Sequence, residues 1–164
     1  MTHAALLALL LALNVGSPAP DWKLQGSDGK TYALSDFKGK QGVVIAWFPK
    51  AGTSGCTAEL RDMRDRAAEI AAYDATVFLA SLDPPERNAE WAKEEGAKQV
   101  ILSDPTGDVA KAYDVAGIGA LFAKRWTFYI DKDGTVVAID KNVNTAAAGA
   151  DIAKKLGELG YPKR

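Results

Sequence analysis

The sequence contains very few of the residues that most often bind metals or form covalent crosslinks. Among its 164 residues are a single cysteine, Cys56, and a single histidine, His3. One cysteine cannot form a disulfide within the chain, and one distant histidine cannot complete a metal-binding cluster with it. The composition therefore argues against structural disulfides and structural zinc, and it predicts no cofactor.

An excess of either charge is also lacking, since 20 Lys and Arg residues stand against 21 Asp and Glu residues. Proteins that bind nucleic acid usually concentrate positive charge. The sequence therefore predicts no nucleic acid partner. A chain of this length is the size of one domain and can bury roughly two-thirds of its unfolded surface, so its stability requires no crosslink.

The N-terminus has an uncharged apolar run, Ala4–Leu13. This run is too short to span a bilayer, but its length suits the apolar part of a secretory signal. No Lys or Arg precedes it, however, and no clear cleavage pattern of small residues follows. We therefore divide the chain into an apolar leader, 1–13, and one domain, 14–164. A signal peptide would place the protein in the periplasm or outside the cell, and an uncleaved extension would leave it in the cytoplasm.

Cys56 lies where an apolar, strand-like run gives way to helical spacing. Val43–Phe48 is typical of a buried strand, Pro49–Gly55 is rich in residues that break regular structure, and a helix is predicted from Thr57 to Tyr73. The first N–H groups of a helix carry partial positive charge, which favours a thiolate over a thiol. The position predicts a reactive cysteine.

Strands and helices alternate along the rest of the chain. Strands are predicted at residues 22–25, 31–34, 43–48, 76–82, 99–102, 125–130 and 135–140, and further helices at 86–95, 108–114 and 145–159. Turn signals at Asp28-Gly29 and Asp133-Gly134 join the first two and the last two strands into hairpins. This order predicts an α/β protein with an N-terminal β-hairpin and a mixed central sheet covered by helices on both faces, which is the pattern of a thioredoxin-like fold.

The spacing of Pro49, Thr53 and Cys56 resembles the P-x-x-x-T/S-x-x-C motif of peroxiredoxins. Other segments between about residue 15 and residue 159 share the resemblance, namely residues 19–22, 34–40, 102–105, 112–115 and 125–134. The chain most resembles the peroxiredoxin Q, or bacterioferritin-comigratory-protein, group. The resemblance implies a thiol peroxidase that reduces hydrogen peroxide and small organic hydroperoxides through a cysteine sulfenic acid.

The resemblance also implies catalytic roles for five residues. Cys56 would be the nucleophile, and Arg125 would direct its N–H donors at the thiolate and at both peroxide oxygens. Thr53 would accept a hydrogen bond from the peroxide and donate one to the thiolate. Pro49 would shield the sulfur from water, and Glu59 would hold Arg125 in place. Each residue also has an ordinary alternative: a small buried apolar side chain for Cys56, a surface position for Arg125 and Glu59, a helix cap for Thr53 and a loop position for Pro49.

Two positions depart from the family pattern. Ser54 stands where the family often has proline, and Arg61 stands where many members of the group have a resolving cysteine. With one cysteine, the cycle would need an external thiol to reduce the sulfenic acid, and thioredoxin, glutaredoxin and glutathione are all candidates. Either a monomer or a homodimer is compatible with the sequence.

Three other functions suit a fold of this kind. A thiol–disulfide oxidoreductase needs a Cys-x-x-Cys pair, which this sequence lacks. An enzyme like glutathione peroxidase would share the reaction, but the set of Pro49, Thr53, Cys56 and Arg125 does not match that family. The third is a binding or holdase module with a vestigial cysteine, which peroxide turnover with a supplied dithiol distinguishes from an enzyme.

Overall fold

The structure is a computed structural model that describes residues 12–164, so nearly all of the predicted leader lies outside the described residues. Within this range the strands form one mixed sheet of seven, in the order β2-β1-β5-β4-β3-β6-β7. The strands are β1 Lys23–Gly26, β2 Thr31–Ala33, β3 Gly42–Trp47, β4 Ala75–Ser81, β5 Ile101–Ser103, β6 Thr127–Ile130 and β7 Val136–Asp140. The predicted α/β class and N-terminal hairpin are both confirmed, since β1 pairs with β2 in antiparallel register.

The helices are α1 Ser54–Asp65, α2 Ala67–Ala71, α3 Pro85–Glu95, α4 Asp108–Ala112 and α5 Ala148–Glu158. Single turns of 3-10 helix occur at Leu34–Asp36, Ile118–Ala120 and Thr145–Ala147. Across residues 12–164, none of these helices has the length and apolar character required to cross a bilayer.

The central strand β3 is buried along its whole length, because helices and loops cover both faces of the sheet. It runs parallel to β4 and antiparallel to β6. Val44 and Ala46 pack in a layer that contains side chains of α1, α2, α3 and α5, whereas Val43 and Ile45 pack in the opposite layer, which contains α4. The predicted thioredoxin-like arrangement is confirmed, and β3 delivers the chain directly to the start of α1.

Several predicted boundaries differ from the structure, and three of the differences lie near Cys56 and Arg125 or in the helix that contains Cys56. The helix predicted over residues 57–73 begins at Ser54 and is divided at Arg66, whose ψ of 14° is not helical. Met63 and Ile70 nevertheless belong to one buried cluster, so apolar spacing alone could not distinguish one helix from two. The strand predicted from Arg125 begins instead at Thr127.

The later start of β6 has a local cause. The Trp126 N–H donates to the carbonyl of Lys124, which bends the chain just before the strand begins. The Trp126 carbonyl still accepts from the Trp47 N–H at 2.9 Å. Arg125 therefore lies in the bend, beside the end of β3, rather than within a strand.

Candidate active site

Contacts with residues outside the loop fix the path of the loop between β3 and α1. The Ala51 N–H donates to the Asp83 carboxylate at 2.9 Å. Gly52 has a φ of +82°, a left-handed conformation that glycine adopts at little cost. A Cβ at Gly52 would also lie only 2.6 Å from Nη2 of Arg87. Glycine at this position therefore lets the loop reach the helix start without backbone strain, and a side chain there would also displace the Arg87 guanidinium.

Cys56 is the third residue of α1, and Thr53 is the N-cap residue, with extended backbone angles. The Cys56 side chain is fully buried, with 0% of its surface exposed. Backbone N–H groups in the first turn of a helix lack acceptors within the helix and carry partial positive charge. The sulfur thus lies where the backbone favours a negative charge, as the sequence predicts.

Arg125 approaches the sulfur from the bend before β6. Its Nη2 lies 3.4 Å from the Cys56 Sγ and donates a hydrogen bond to it. A Cβ at Gly55 would lie 3.2 Å from the same Nη2, which is closer than ordinary van der Waals contact, so glycine leaves the space that the guanidinium fills. Only 22% of the Arg125 side chain is exposed. The pairing of β3 with β6 therefore brings together two residues that are 69 positions apart in sequence.

Glu59 forms the third member of the cluster. Its Oε2 accepts a hydrogen bond from Arg125 Nη1 at 2.5 Å, and only 1% of its side chain is exposed. Its Oε1 is buried and has no hydrogen-bond partner within residues 12–164. Burial raises the pKa of Glu59 to about 7; Arg125 opposes this effect, and the Asp140 carboxylate adds to it. The carboxylate is therefore costly to keep charged, although it holds a guanidinium.

The other two predicted residues lie in the loop itself. Pro49 is half-buried and Thr53 is exposed. The Thr53 hydroxyl donates to the carbonyl of Lys50 at 2.8 Å rather than to the helix N–H groups, so the helix-cap alternative was wrong in its hydrogen bond although right in its position. The Thr53 hydroxyl has one proton, and since it is donated to Lys50 it is not donated to the Cys56 sulfur in this arrangement. The hydroxyl oxygen can still accept a hydrogen bond through its lone pairs.

A supporting network beside the loop was missed by the sequence analysis. The buried Asn88 side chain donates to the hydroxyls of Ser81 and Ser103 at 3.0 and 2.9 Å. Ser81 in turn donates to Asp83, the residue that holds the loop at Ala51. The sequence could have indicated two members of this network, since Ser81 and Ser103 are polar residues at the ends of two apolar strand segments. Asn88, in a helix rich in polar residues, gave no comparable sign.

The cluster at α1 is a continuous series of contacts from thiol to guanidinium to carboxylate. A permanently charged guanidinium beside the sulfur stabilises negative charge on the sulfur and on an oxygen that departs from it. Arginine has five N–H donors, so donors remain for a bound molecule after the contacts to Cys56 and Glu59 are made. This geometry suits nucleophilic attack by sulfur on a small polar substrate.

Comparison with known proteins agrees with this geometry. The family model described as the AhpC/TSA family matches residues 15–139. The chain belongs to the AhpC/TSA family. It is 34% identical to the peroxiredoxin Bcp of Bacillus subtilis over 155 residues, which cover 91% of this chain and 98% of that one. It is also 35% identical over 126 residues to alkyl hydroperoxide reductase E of Mycobacterium tuberculosis, covering 76% of this chain and 82% of that one.

A solved structure of peroxidoxin BcpB from M. tuberculosis has the same fold. It superposes with a TM-score of 0.80 at 29% identity, covering 89% of this chain and 97% of that one. Within the AhpC/TSA family, the chain is a peroxiredoxin of the Bcp, or peroxiredoxin Q, class. It is an enzyme, a thiol-dependent peroxidase, and the alternative of a non-catalytic binding module is not favoured.

Proposed function

We propose that Cys56 is the nucleophile of this peroxidase and that hydrogen peroxide and small organic hydroperoxides are its substrates. The observation that carries the proposal is the contact between Arg125 Nη2 and the Cys56 sulfur at 3.4 Å, where the fully buried Cys56 side chain is shielded from bulk water. Similarity to the alkyl hydroperoxide reductase E of M. tuberculosis supports the organic part of the substrate range.

In the proposed step the Cys56 thiolate attacks the terminal oxygen of ROOH. The S–O bond forms as the O–O bond breaks, and the RO⁻ group leaves and takes a proton to become ROH. Cys56 is oxidised to a sulfenic acid and the peroxide is reduced. Arg125 stabilises the charge that moves from sulfur to the departing oxygen. Glu59 holds Arg125 in position, Thr53 accepts a hydrogen bond from the peroxide, and Pro49 limits the access of water.

The cycle that follows uses one cysteine, because Cys56 is the only cysteine in the sequence. An external thiol returns the sulfenic acid to the thiolate, and thioredoxin, glutaredoxin and glutathione are the candidates. Nothing else in the sequence can act as an internal resolving thiol.

The test is to mix the protein with one equivalent of hydrogen peroxide in the presence of dimedone, which traps sulfenic acids. We expect a dimedone adduct at Cys56 by mass spectrometry, together with peroxide consumption that Cys56→Ser abolishes. Serine closely matches cysteine in shape, so circular dichroism should show that the variant keeps its fold. If Cys56→Ser consumes peroxide at the natural rate, the proposal is wrong.

A further inference from the structure

A short hairpin before β6 has an apolar surface that the active site does not use. It consists of residues 115–124, and we call it the apolar hairpin. The Lys124 N–H donates to the Val115 carbonyl at 2.7 Å, and the Gly117 N–H donates to the Phe122 carbonyl at 2.9 Å. Val115 is fully buried, so the base of the hairpin is fixed to the core.

The tip of the apolar hairpin exposes large apolar side chains. Ile118 is 100% exposed, Leu121 70% and Phe122 46%, and Val15 is the only other large hydrophobic residue that is exposed within residues 12–164. Exposed apolar side chains that lie together commonly mark an interaction surface, because their burial is favourable. Ala120 has a φ of +52°, a left-handed conformation that costs free energy for a residue with a Cβ. The tip thus keeps an unfavourable backbone conformation and still leaves Ile118 and Leu121 outside the core.

Lysines accompany the apolar hairpin. The Lys50 Nζ lies 5.6 Å from the centroid of the Phe122 ring. Lys124 and Lys141 both lie over the Trp126 ring, with their Nζ atoms 4.7 and 4.5 Å from its centroid. None of these three lysines belongs to an ion pair within the part of the chain that the structure describes. Three ammonium groups beside the hairpin are therefore available to an anionic partner.

Two carboxylates beside the apolar hairpin are already hydrogen-bonded. Asp83 lines a cavity of about 200 Å³ together with Lys50 and Leu121. Its carboxylate accepts from the Ala51 N–H at 2.9 Å and from a serine hydroxyl at 2.8 Å. Asp114, directly before the hairpin, accepts from the Leu13 N–H at 3.1 Å. Both carboxylates are thus engaged within the chain, unlike the ammonium groups near them.

The contact between Asp114 and Leu13 also fixes where the apolar leader joins the domain. Leu13 is the last residue of the uncharged run Ala4–Leu13, and Asp114 directly precedes the first residue of the apolar hairpin. The leader therefore joins the domain at the base of the hairpin. A surface that receives one of these two apolar segments lies close to the other.

We propose that the apolar hairpin and its lysines bind the surface of anionic phospholipid bilayers. Exposed apolar side chains enter the boundary between headgroups and acyl chains, and neighbouring lysines attract anionic headgroups. A stable contact between two protein chains buries about 800 Å² on each partner, and three apolar side chains supply only part of that area. The lysines also disfavour a second copy of the hairpin as the partner, because like charges would meet. The proposal goes beyond the proposed function and is tested without peroxide chemistry.

Co-sedimentation of the full chain with lipid vesicles tests the proposal. We expect binding to vesicles of equimolar phosphatidylcholine and phosphatidylglycerol, and at least about fivefold weaker binding to pure phosphatidylcholine. I118S/L121S should lower the partition coefficient on the anionic vesicles at least about tenfold, because two apolar side chains no longer enter the bilayer. K50Q/K124Q should lower it at least about fivefold on anionic vesicles and change it little on neutral ones.

Each pair of substitutions has a matched control. I118L/L121I exchanges two isomeric side chains and keeps the tip apolar, so it should bind as the natural chain does. Lys23→Gln removes an exposed lysine of β1, a strand that three other strands separate from β6, and should also leave binding unchanged. The hydrogen peroxide rate of I118S/L121S in solution should equal the natural rate, which shows that this variant is folded.

Several results would overturn the proposal. One is a natural chain that does not bind the anionic vesicles. Another is equal binding by I118S/L121S and the natural chain, which would assign the binding to the leader alone. Anionic binding that K50Q/K124Q leaves unchanged would disprove the part played by the lysines, and the proposal with it. Sedimentation velocity without lipid covers the remaining case, since a dimer that I118S/L121S converts into a monomer would assign the hairpin to a second copy of the chain.

Discussion

Two of the polar clusters inside residues 12–164 are built in opposite ways. In the first, Cys56, Arg125 and Glu59 bring charged groups together, and Glu59 Oε1 has no hydrogen-bond partner in the part of the chain that the structure describes. In the second, Asn88 lies between two neutral hydroxyls and donates to both. The first cluster is charged and incompletely bonded, whereas the second is centred on neutral side chains and is well bonded.

The difference shows what each cluster contributes. A buried group with bonding capacity to spare costs stability, but it can bind a substrate or change its charge during a reaction. A satisfied neutral network stabilises the fold and fixes the elements that it joins. We therefore expect substitutions in the first cluster to change peroxide chemistry more than stability, and substitutions in the second to do the reverse.

The largest effect should follow from Arg125→Met. We expect the second-order rate constant with hydrogen peroxide to fall by about 10²–10³, because the charge that stabilises the sulfur and the leaving oxygen is removed. Stopped-flow measurement of peroxide consumption gives the rate, and circular dichroism checks the fold. Arg87→Met is the matched control, since Arg87 lies beside Gly52 of the same loop and should leave the rate near its natural value. Equal losses in the two variants would remove the special role of Arg125.

The next effect is the pH dependence that Glu59 gives to stability. Its pKa rises from an ordinary value of 4.5 to about 7 in the folded protein, so the folded state binds the proton more tightly than the unfolded chain does. The resulting stability is fully present below pH 4.5 and is lost as the pH rises through about 7. This loss amounts to roughly 3 kcal/mol in the free energy of unfolding.

Glu59→Gln should remove most of that loss, because the amide does not ionise. Urea unfolding between pH 4.5 and pH 8 measures it in both proteins. Glu69→Gln is the matched control, since Glu69 is exposed and pairs with Arg66 at the surface. If Glu59→Gln and the natural chain lose stability in parallel over this range, Glu59 is already ionised in the fold at low pH, and the first cluster is better satisfied than its geometry indicates.

Asn88→Ala should show the opposite balance. It removes the amide between Ser81 and Ser103 and leaves both hydroxyls buried, so we expect a loss of about 2–3 kcal/mol in the free energy of unfolding. The peroxide rate per folded molecule should change much less than in Arg125→Met. Asn142→Ala, at an exposed position, is the control and should leave stability unchanged. A large rate loss with little change in stability would place Asn88 with the first cluster.

Most of the first cluster could be predicted from sequence because its chemistry is concentrated in a short motif. Pro49, Thr53, Cys56 and Glu59 fall within eleven consecutive residues that join a buried strand to a helix. Arg125 is distant, and its place depended on the resemblance to a family. The geometry has a simple cause, since β6 pairs with β3 and so brings the bend before β6 to the start of α1.

The second cluster could not be predicted because its members lie on three separate elements and are individually ordinary. Ser81, Asn88 and Ser103 lie on two strands and a helix, and their contact depends on the parallel pairing of β4 with β5. The division of the predicted helix at Arg66 was missed for a related reason, since both halves bury residues in one layer. Local patterns predict elements, whereas these features arise only when the elements pack.

The smallest effect should come from Thr53→Val. This variant tests whether Thr53 takes part in the peroxide reaction together with the first cluster. The Thr53 hydroxyl donates to the Lys50 carbonyl at 2.8 Å and leaves its oxygen free to accept a hydrogen bond from the peroxide. Loss of one such bond should lower the peroxide rate about fivefold to tenfold. Ser54→Ala removes the neighbouring exposed hydroxyl at the first position of α1 and should leave the rate unchanged. If both variants lose the same amount, the hydroxyls act on the start of the helix rather than on the substrate, and the reactive cluster is confined to Cys56, Arg125 and Glu59.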